Sequence, residues 1–354
     1  MNILDELSTI EGIDKSNMRQ LLYDLPHQGE RETELMRDVR LPGEYKEVRN
    51  ITITGLGGSS VGGDILKNLL RDRLRIPLIV NRSYTLPRLV NKESLLICVS
   101  YSGNTEETLS AYTIGKKRGS RVVVISSGGE LTSLAKEDGF PHIMVPSGMP
   151  PRTALGYLFF SQLFLLKTLG FVSVEDKELE ETVQTLTSLR REIDVQTPKD
   201  ENMAKKLAEK IYDTVVLIYT TSDFLEGVGV RWKTQINENS KNPAYYEFFP
   251  ELDHNEIMGW EGVPEGVSER FSLILLRDRG ESERMVKRIN ITSELIKERI
   301  SRILEVTSRG EGLLSRIFSL IYIGDYVSFY LAILKGVDPT EIRSIDRLKR
   351  RMKE

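Results

Sequence analysis

The sequence predicts an α/β protein of two units, each a mainly parallel sheet covered by helices on both faces, with a helical N-terminal arm and a C-terminal helix. Three observations carry this. Short apolar runs alternate with amphipathic stretches long enough for helices. The alternation stops near the middle of the chain and then resumes. The length, 354 residues, exceeds what one compact domain usually holds.

Residues 1–45 place Leu4, Leu7 and Ile10, then Met18, Leu21 and Leu22, at helical spacing, with breaks expected at Pro26 and Pro42. This is the N-terminal arm. Five apolar runs follow: ITITG (51–55), PLIVN (77–81), SLLICVS (94–100), RVVVIS (121–126) and HIMVP (142–146). They define a first unit over 46–155. From 156 to 210 no strand-like run occurs, and Leu-rich then Glu/Lys-rich helical segments connect the halves. A second unit spans 211–354, with clear strands at TVVLIY (214–219) and FSLILL (271–276) and weaker ones at AYYEFF (244–249) and ILEVTS (303–308). It opens as the first does, with a strand, a polar loop and a helix, which is a weak internal repeat.

Composition narrows the partners. Net charge is −3 with acids and bases interspersed, which argues against nucleic acid and leaves small acidic or neutral metabolites. The one cysteine, Cys98, lies in an apolar run, so neither a disulfide framework nor a cysteine metal site is expected. MNILDELSTIEG lacks the basic start and apolar core of a secretion signal, and the cytoplasm is the expected compartment. The apolar stretch 317–334 carries Asp325 at its centre, so a buried helix is expected and not a membrane span.

Two loops carry the chemistry. GLGGSSVGGDI (55–65) lies between a strand and a helix, with glycines that let backbone approach a ligand and Ser59 and Ser60 to cap or donate. A dinucleotide fingerprint would need glycine where Ser60 stands, and a nucleotide-hydrolase phosphate loop would need Gly-Lys-Ser/Thr where Gly63-Asp64 follow. VSYSGNTEETLS (99–110) also joins a strand tip to a helix start, where hydroxyls and helix-end amides converge on a volume suited to phosphate. Two anion-binding loops at one sheet edge imply one ligand.

This pairing resembles the sugar isomerase (SIS) domain, a flavodoxin-like fold whose loops hold a phosphosugar; ISSGGELTSLAKE (125–137) is similar to its next strand-to-helix turn. PSGMPPRTALGYLF (146–159) resembles the Pro-Arg-x-Ala-x-Gly-Tyr signature of the bifunctional phosphoglucose/phosphomannose isomerases. NENSKNPA (237–244) with ELDHNEI (251–257) resembles their catalytic pair. The likeness covers 45–354 and leaves the arm unmatched.

The resemblance implies isomerisation of glucose 6-phosphate and mannose 6-phosphate with fructose 6-phosphate through a cis-enediol, without metal or cofactor, in a homodimer with shared sites. It assigns Glu238 to proton transfer between C2 and C1, and Arg152 to the enediolate. It assigns His254 to ring opening from across the dimer interface. Gly57, Gly58, Ser59, Ser100, Ser102 and Thr105 fall on its phosphosugar-binding positions. Its terminal-helix lysine maps to Lys349, with Lys353 close by, and the threonine that admits the C2 epimer maps to Thr340, with Ile342 and Ser344 as alternatives. Taken alone, Glu238 reads as a solvated helix-end residue, His254 as a structural or exposed loop histidine and Arg152 as an exposed loop cation; the motifs reverse that. The histidines His27, His142 and His254 are too scattered for a metal site. Two other readings stay open: a non-catalytic phosphosugar sensor, and an isomerase of another sugar phosphate.

Overall fold

Strands β1 (Asn50–Thr54), β2 (Leu78–Asn81), β3 (Ser94–Val99), β4 (Arg121–Ser126) and β5 (His142–Met144) form the first sheet in the order β2-β1-β3-β4-β5. All neighbours are parallel, with Ile53 beside Val80 and Ile97, and Ile97 beside Val123. Parallel strands buried on both faces favour apolar residues at successive positions, and β3 and β4 are written that way, whereas β1 (NITIT) alternates isoleucine with buried threonine. Ile51, Ile53, Leu95, Ile97, Val99, Val123 and Ile125 enter one core, while Leu96, Cys98, Val122 and Val124 enter another, as a period of two requires. The computed structural model describes residues 3–36, 39–264, 266–300, 302–352 and 354.

The arm contains α1 (Leu7–Ile13), α2 (Met18–Tyr23) and α3 (Leu25–Leu35). Pro26, expected as a break, stands at the second position of α3. An amide there has no intrahelical acceptor, so proline opens this helix and does not end one. On the first sheet, α4 (Gly58–Leu69) and α7 (Leu155–Thr168) cover one face, and α5 (Glu106–Lys117) and α6 (Gly129–Glu137) the other. Next come α8 (Asp176–Ile193) and α9 (Met203–Lys210).

The second sheet takes β6 (Val215–Thr221), β7 (Ala244–Phe249), β8 (Phe271–Arg277) and β9 (Arg302–Thr307) in the order β7-β6-β8-β9, again parallel throughout. Its helices are α10 (Glu226–Ser240), α11 (Glu256–Glu261), α12 (Glu283–Ile296) and α13 (Leu313–Leu334), and α14 (Arg343–Arg351) closes the described chain. Both sheets begin with the order second-first-third, so the weak repeat is one of topology.

One core joins the sheets, because α4 and α7 from the first and α10 and α13 from the second contribute to it together. Phe159 and Phe318 meet edge to face at 4.9 Å, and the Gly227 amide donates to Asn68 Oδ1 at 2.8 Å. Helix α13 has the length and composition of a membrane span, yet 94% of its most apolar window is buried inside the protein, against α8, α9 and α10. Asp325 at its centre accepts two hydrogen bonds from Arg231, at 3.0 and 2.8 Å, with both side chains 1% exposed. A buried carboxylate persists only with such a partner.

Candidate active site

In the first sheet β1 and β3 adjoin while their connections run to opposite sides, and a crevice opens at their C-terminal ends. Both sequence-predicted loops lie there. Gly57 has φ +54° and ψ −130°, a backbone that side chains resist, and it turns the chain from β1 into α4. A Cβ on Gly58 would stand 3.0 Å from the Arg152 amide nitrogen, so the first turn of α4 abuts the Arg152 backbone. Ser59 Oγ accepts the Tyr101 amide at 3.1 Å, which ties the first loop to the second and leaves its own proton to donate.

In the second loop Ser100 Oγ accepts the Gly103 amide at 3.1 Å and lies 2.9 Å from Thr105 Oγ1. Ser102 Oγ is exposed and accepts the Asn104 amide at 3.3 Å. Thr105 precedes α5 without capping it through its side chain, so first-turn amides of α5 are left for a ligand. Gly103 holds φ +69°, and α6 braces the turn from behind as Leu131 donates to Gly103 O at 2.9 Å. Tyr101, unremarked in the sequence, donates through its hydroxyl to Pro146 O and accepts the Met149 amide, at 2.9 and 3.0 Å, anchoring the loop that leads to Arg152. The six predicted phosphosugar positions are thus split between two hydrogen-bonded loops beside Arg152.

Arg152 is 3% exposed and lies in a short 3-10 turn stiffened by Pro150 and Pro151. Its Nε donates to Asn239 Oδ1 at 2.7 Å, and its Nη2 to Pro339 O and Thr340 O at 2.7 and 3.0 Å. Its Nη1 lies 3.5 Å from Glu238 Oε2. Burial pushes the guanidinium below its usual range and Glu238 opposes the shift, but an arginine stays cationic. Asn239 is held in turn by donating to Ser328 Oγ at 2.9 Å, and Arg231 donates to Arg152 O at 2.7 Å. Glu238 itself, with a side chain 25% exposed, is the part of this network that reaches open space.

That space is a cavity of about 900 Å³ lined by Glu238, Lys241, Asp338, Glu341 and Arg343, with Lys15 of the arm on its wall. The two loops of the first sheet do not line it; Arg152 connects them to Glu238, with its backbone against Gly58 and its side chain beside the Glu238 carboxylate. Thr340 lies against Arg152 with its buried Oγ1 lacking a hydrogen-bond partner, whereas Ile342 and Ser344 line the cavity. Lys349 is exposed on α14 and is not among the lining residues; Lys353 lies outside the described residues. His254 is exposed at the end of a 3-10 turn beyond the C-terminal end of β7, while Glu238 lies near that strand's start, where Asn237 Oδ1 accepts the Ala244 amide. A six-residue strand separates the two, roughly 20 Å. Within one chain, then, Arg152, Glu238 and the two loops of the first sheet are contiguous and His254 is not. In the second sheet, just past β8, Asp278 Oδ1 accepts from Ser308 Oγ and Arg316 Nε at 2.7 and 2.8 Å.

A family model described as the bacterial phospho-glucose isomerase C-terminal SIS domain matches residues 200–352. A protein of Caldicellulosiruptor bescii named bifunctional phosphoglucose/phosphomannose isomerase is 43% identical over 337 residues, covering 95% of this chain and 99% of its own length. This chain belongs to that family. An Aquifex aeolicus protein of the same name is 35% identical over 309 residues, 86% of this chain and 91% of its own. The fold is matched by the crystal structure of a glucose-6-phosphate isomerase like protein from Thermus thermophilus, with a TM-score of 0.63 at 20% identity over 97% of this chain and 99% of that one. Unlike the first sequence likeness, the family match reaches over most of the arm.

Proposed function

We propose that this protein interconverts glucose 6-phosphate and mannose 6-phosphate with fructose 6-phosphate through a cis-enediol, without a metal ion. The observation that carries the reading is the Arg152–Glu238 pair at 3.5 Å, built on a backbone that touches the first turn of α4. Loops around Gly57, Gly58, Ser59, Ser100, Ser102 and Thr105 hold the phosphate, which orients the reacting carbons. Glu238 takes the proton from C2 and returns it to C1; Arg152 stabilises the charge that develops on oxygen. Thr340, whose hydroxyl is buried beside Arg152, makes room for either C2 epimer.

His254 opens the ring from a second copy in a twofold homodimer, which its exposure and its distance from Glu238 in one chain support. Lys349 joins the site only if α14 settles further over the cavity. The arm over 1–45, the units over 46–155 and 211–354 and the helical connection over 156–210 are the proposed domains. Cys98 is buried and unpaired, consistent with a reducing cytoplasm.

The test is isomerase turnover on glucose 6-phosphate and on mannose 6-phosphate, with a chelator present, for wild type and Glu238→Gln. Wild type is expected to convert both, and the variant to lose about 10³-fold or more in kcat while still binding the phosphosugar. A wild type that binds fructose 6-phosphate but converts nothing would make this a sensor, and turnover of a different sugar phosphate alone would reassign the substrate.

A further inference from the structure

Three residues past Glu238 the chain leaves α10 through Lys241, which adopts φ 51° and ψ 39° and turns back beside the helix end. Its Nζ donates to Asn239 O at 3.1 Å and to Asp338 O at 2.6 Å. An ammonium has three donors. Among the described residues the protein supplies two acceptors, so one N–H is left for a ligand. The same side chain lines the cavity onto which Glu238 opens.

Both of its acceptors belong to the framework around Arg152. Asn239 receives Arg152 Nε, and the Asp338–Thr340 turn takes Lys241 at one end and Arg152 at the other. Lys241 and Arg152 therefore flank Glu238 as two cations tied to one turn.

Resting on the isomerase reading above, we propose that Lys241 is a further catalytic residue: its remaining N–H donates to the sugar oxygens on the carbons between which Glu238 moves the proton. Negative charge collects on those oxygens as the C–H bond breaks, and a preplaced cationic donor is most effective there. The groups facing Lys241 are Arg152, Asp338, Glu341 and Glu238, with Lys15 and Arg343 also on the cavity wall. Although much of the residue is exposed, burial of the ammonium, and then Arg152, push its pKa down to about 8. The cation is present below that value and is lost as pH rises through it.

The experiment is steady-state kinetics on glucose 6-phosphate from about pH 6 to pH 10 for wild type, Lys241→Met and Lys241→Arg, with thermal unfolding of each. Wild-type kcat/KM, which follows ionisation of the free enzyme, is expected to fall above about pH 8. Lys241→Met should lose roughly tenfold or more in kcat at pH 7 with KM changed by less than about threefold, and should lack the basic limb. Lys241→Arg should recover part of the rate and move the limb upward, since a guanidinium does not titrate in this range. A Lys241→Met enzyme with wild-type kcat, or a slow one that keeps the limb near pH 8, overturns the proposal and leaves Lys241 a packing residue. A wild type without isomerase activity overturns this inference together with the reading it rests on.

Discussion

Arg152, in its proposed role, shows how much of a site residue's setting lies outside its own side chain. Four of its contacts, to Asn239 Oδ1, Pro339 O, Thr340 O and Glu238, radiate in different directions from one planar group. Lysine carries the same charge but is a single point with no planar fork. Arg152→Lys is expected to leave at least one buried acceptor without a donor, destabilise the fold by about 1–3 kcal/mol and lower kcat by about 10²-fold. Urea unfolding together with kinetics checks it; an unchanged kcat would show that charge alone suffices. The signature Pro-Pro-Arg was legible in the sequence because prolines mark a stiff approach. Its acceptors were not, since backbone carbonyls at 339 and 340 have no letter of their own.

At the scale of elements, the arm acquires a role that its sequence did not disclose. Gln28 on α3 donates to Thr153 O at 2.8 Å and accepts the Gly156 amide at 2.9 Å, bracing the turn that carries Arg152. One helical turn on, Glu32 is fully buried against α7, accepts Ser161 Oγ at 2.6 Å and has its other oxygen without a partner. Burial raises its pKa from 4.5 to about 7 despite the Ser161 hydrogen bond. A carboxyl that holds its proton more tightly when folded favours the native state fully below about pH 4.5, and that contribution is lost as pH rises through 7. Glu32→Gln is therefore expected to be more stable than wild type at pH 8 by on the order of 2–3 kcal/mol and similar to it near pH 4. Denaturant unfolding at the two pH values measures this; an equal difference at both would mean that folding leaves the Glu32 pKa unshifted.

For the whole molecule, two features are incomplete in a single chain. His254 is exposed a strand's length from Glu238, and α14 has no buried residue, with Leu348 and Met352 61% and 60% exposed. The proposed dimer accounts for the first by supplying His254 from a second copy. Refolding Glu238→Gln together with His254→Asn should then generate mixed dimers with one intact site, and recover about a quarter of wild-type activity from two nearly inactive proteins. No recovery would place each site within one chain. The exposed stripe on α14 is seen only once the helix is placed: its spacing reads as an amphipathic helix, but whether anything covers it is a matter of tertiary neighbours.

The sequence by itself determined the α/β class, the parallel sheets and two glycine- and hydroxyl-rich loops at strand-to-helix turns, and its motifs singled out Arg152 and Glu238 as candidates. It could do so because buried parallel strands are written largely as apolar runs and tight strand-to-helix turns as glycine and hydroxyl clusters, both of which are local patterns. Tertiary structure alone decided which groups share the space around Glu238. Arg152 finds Asn239 87 residues away and Thr340 188 residues away, and Lys241 reaches Asp338 97 residues on. Those meetings depend on how the helices of the two sheets pack into one core, a geometry that no short stretch of chain encodes.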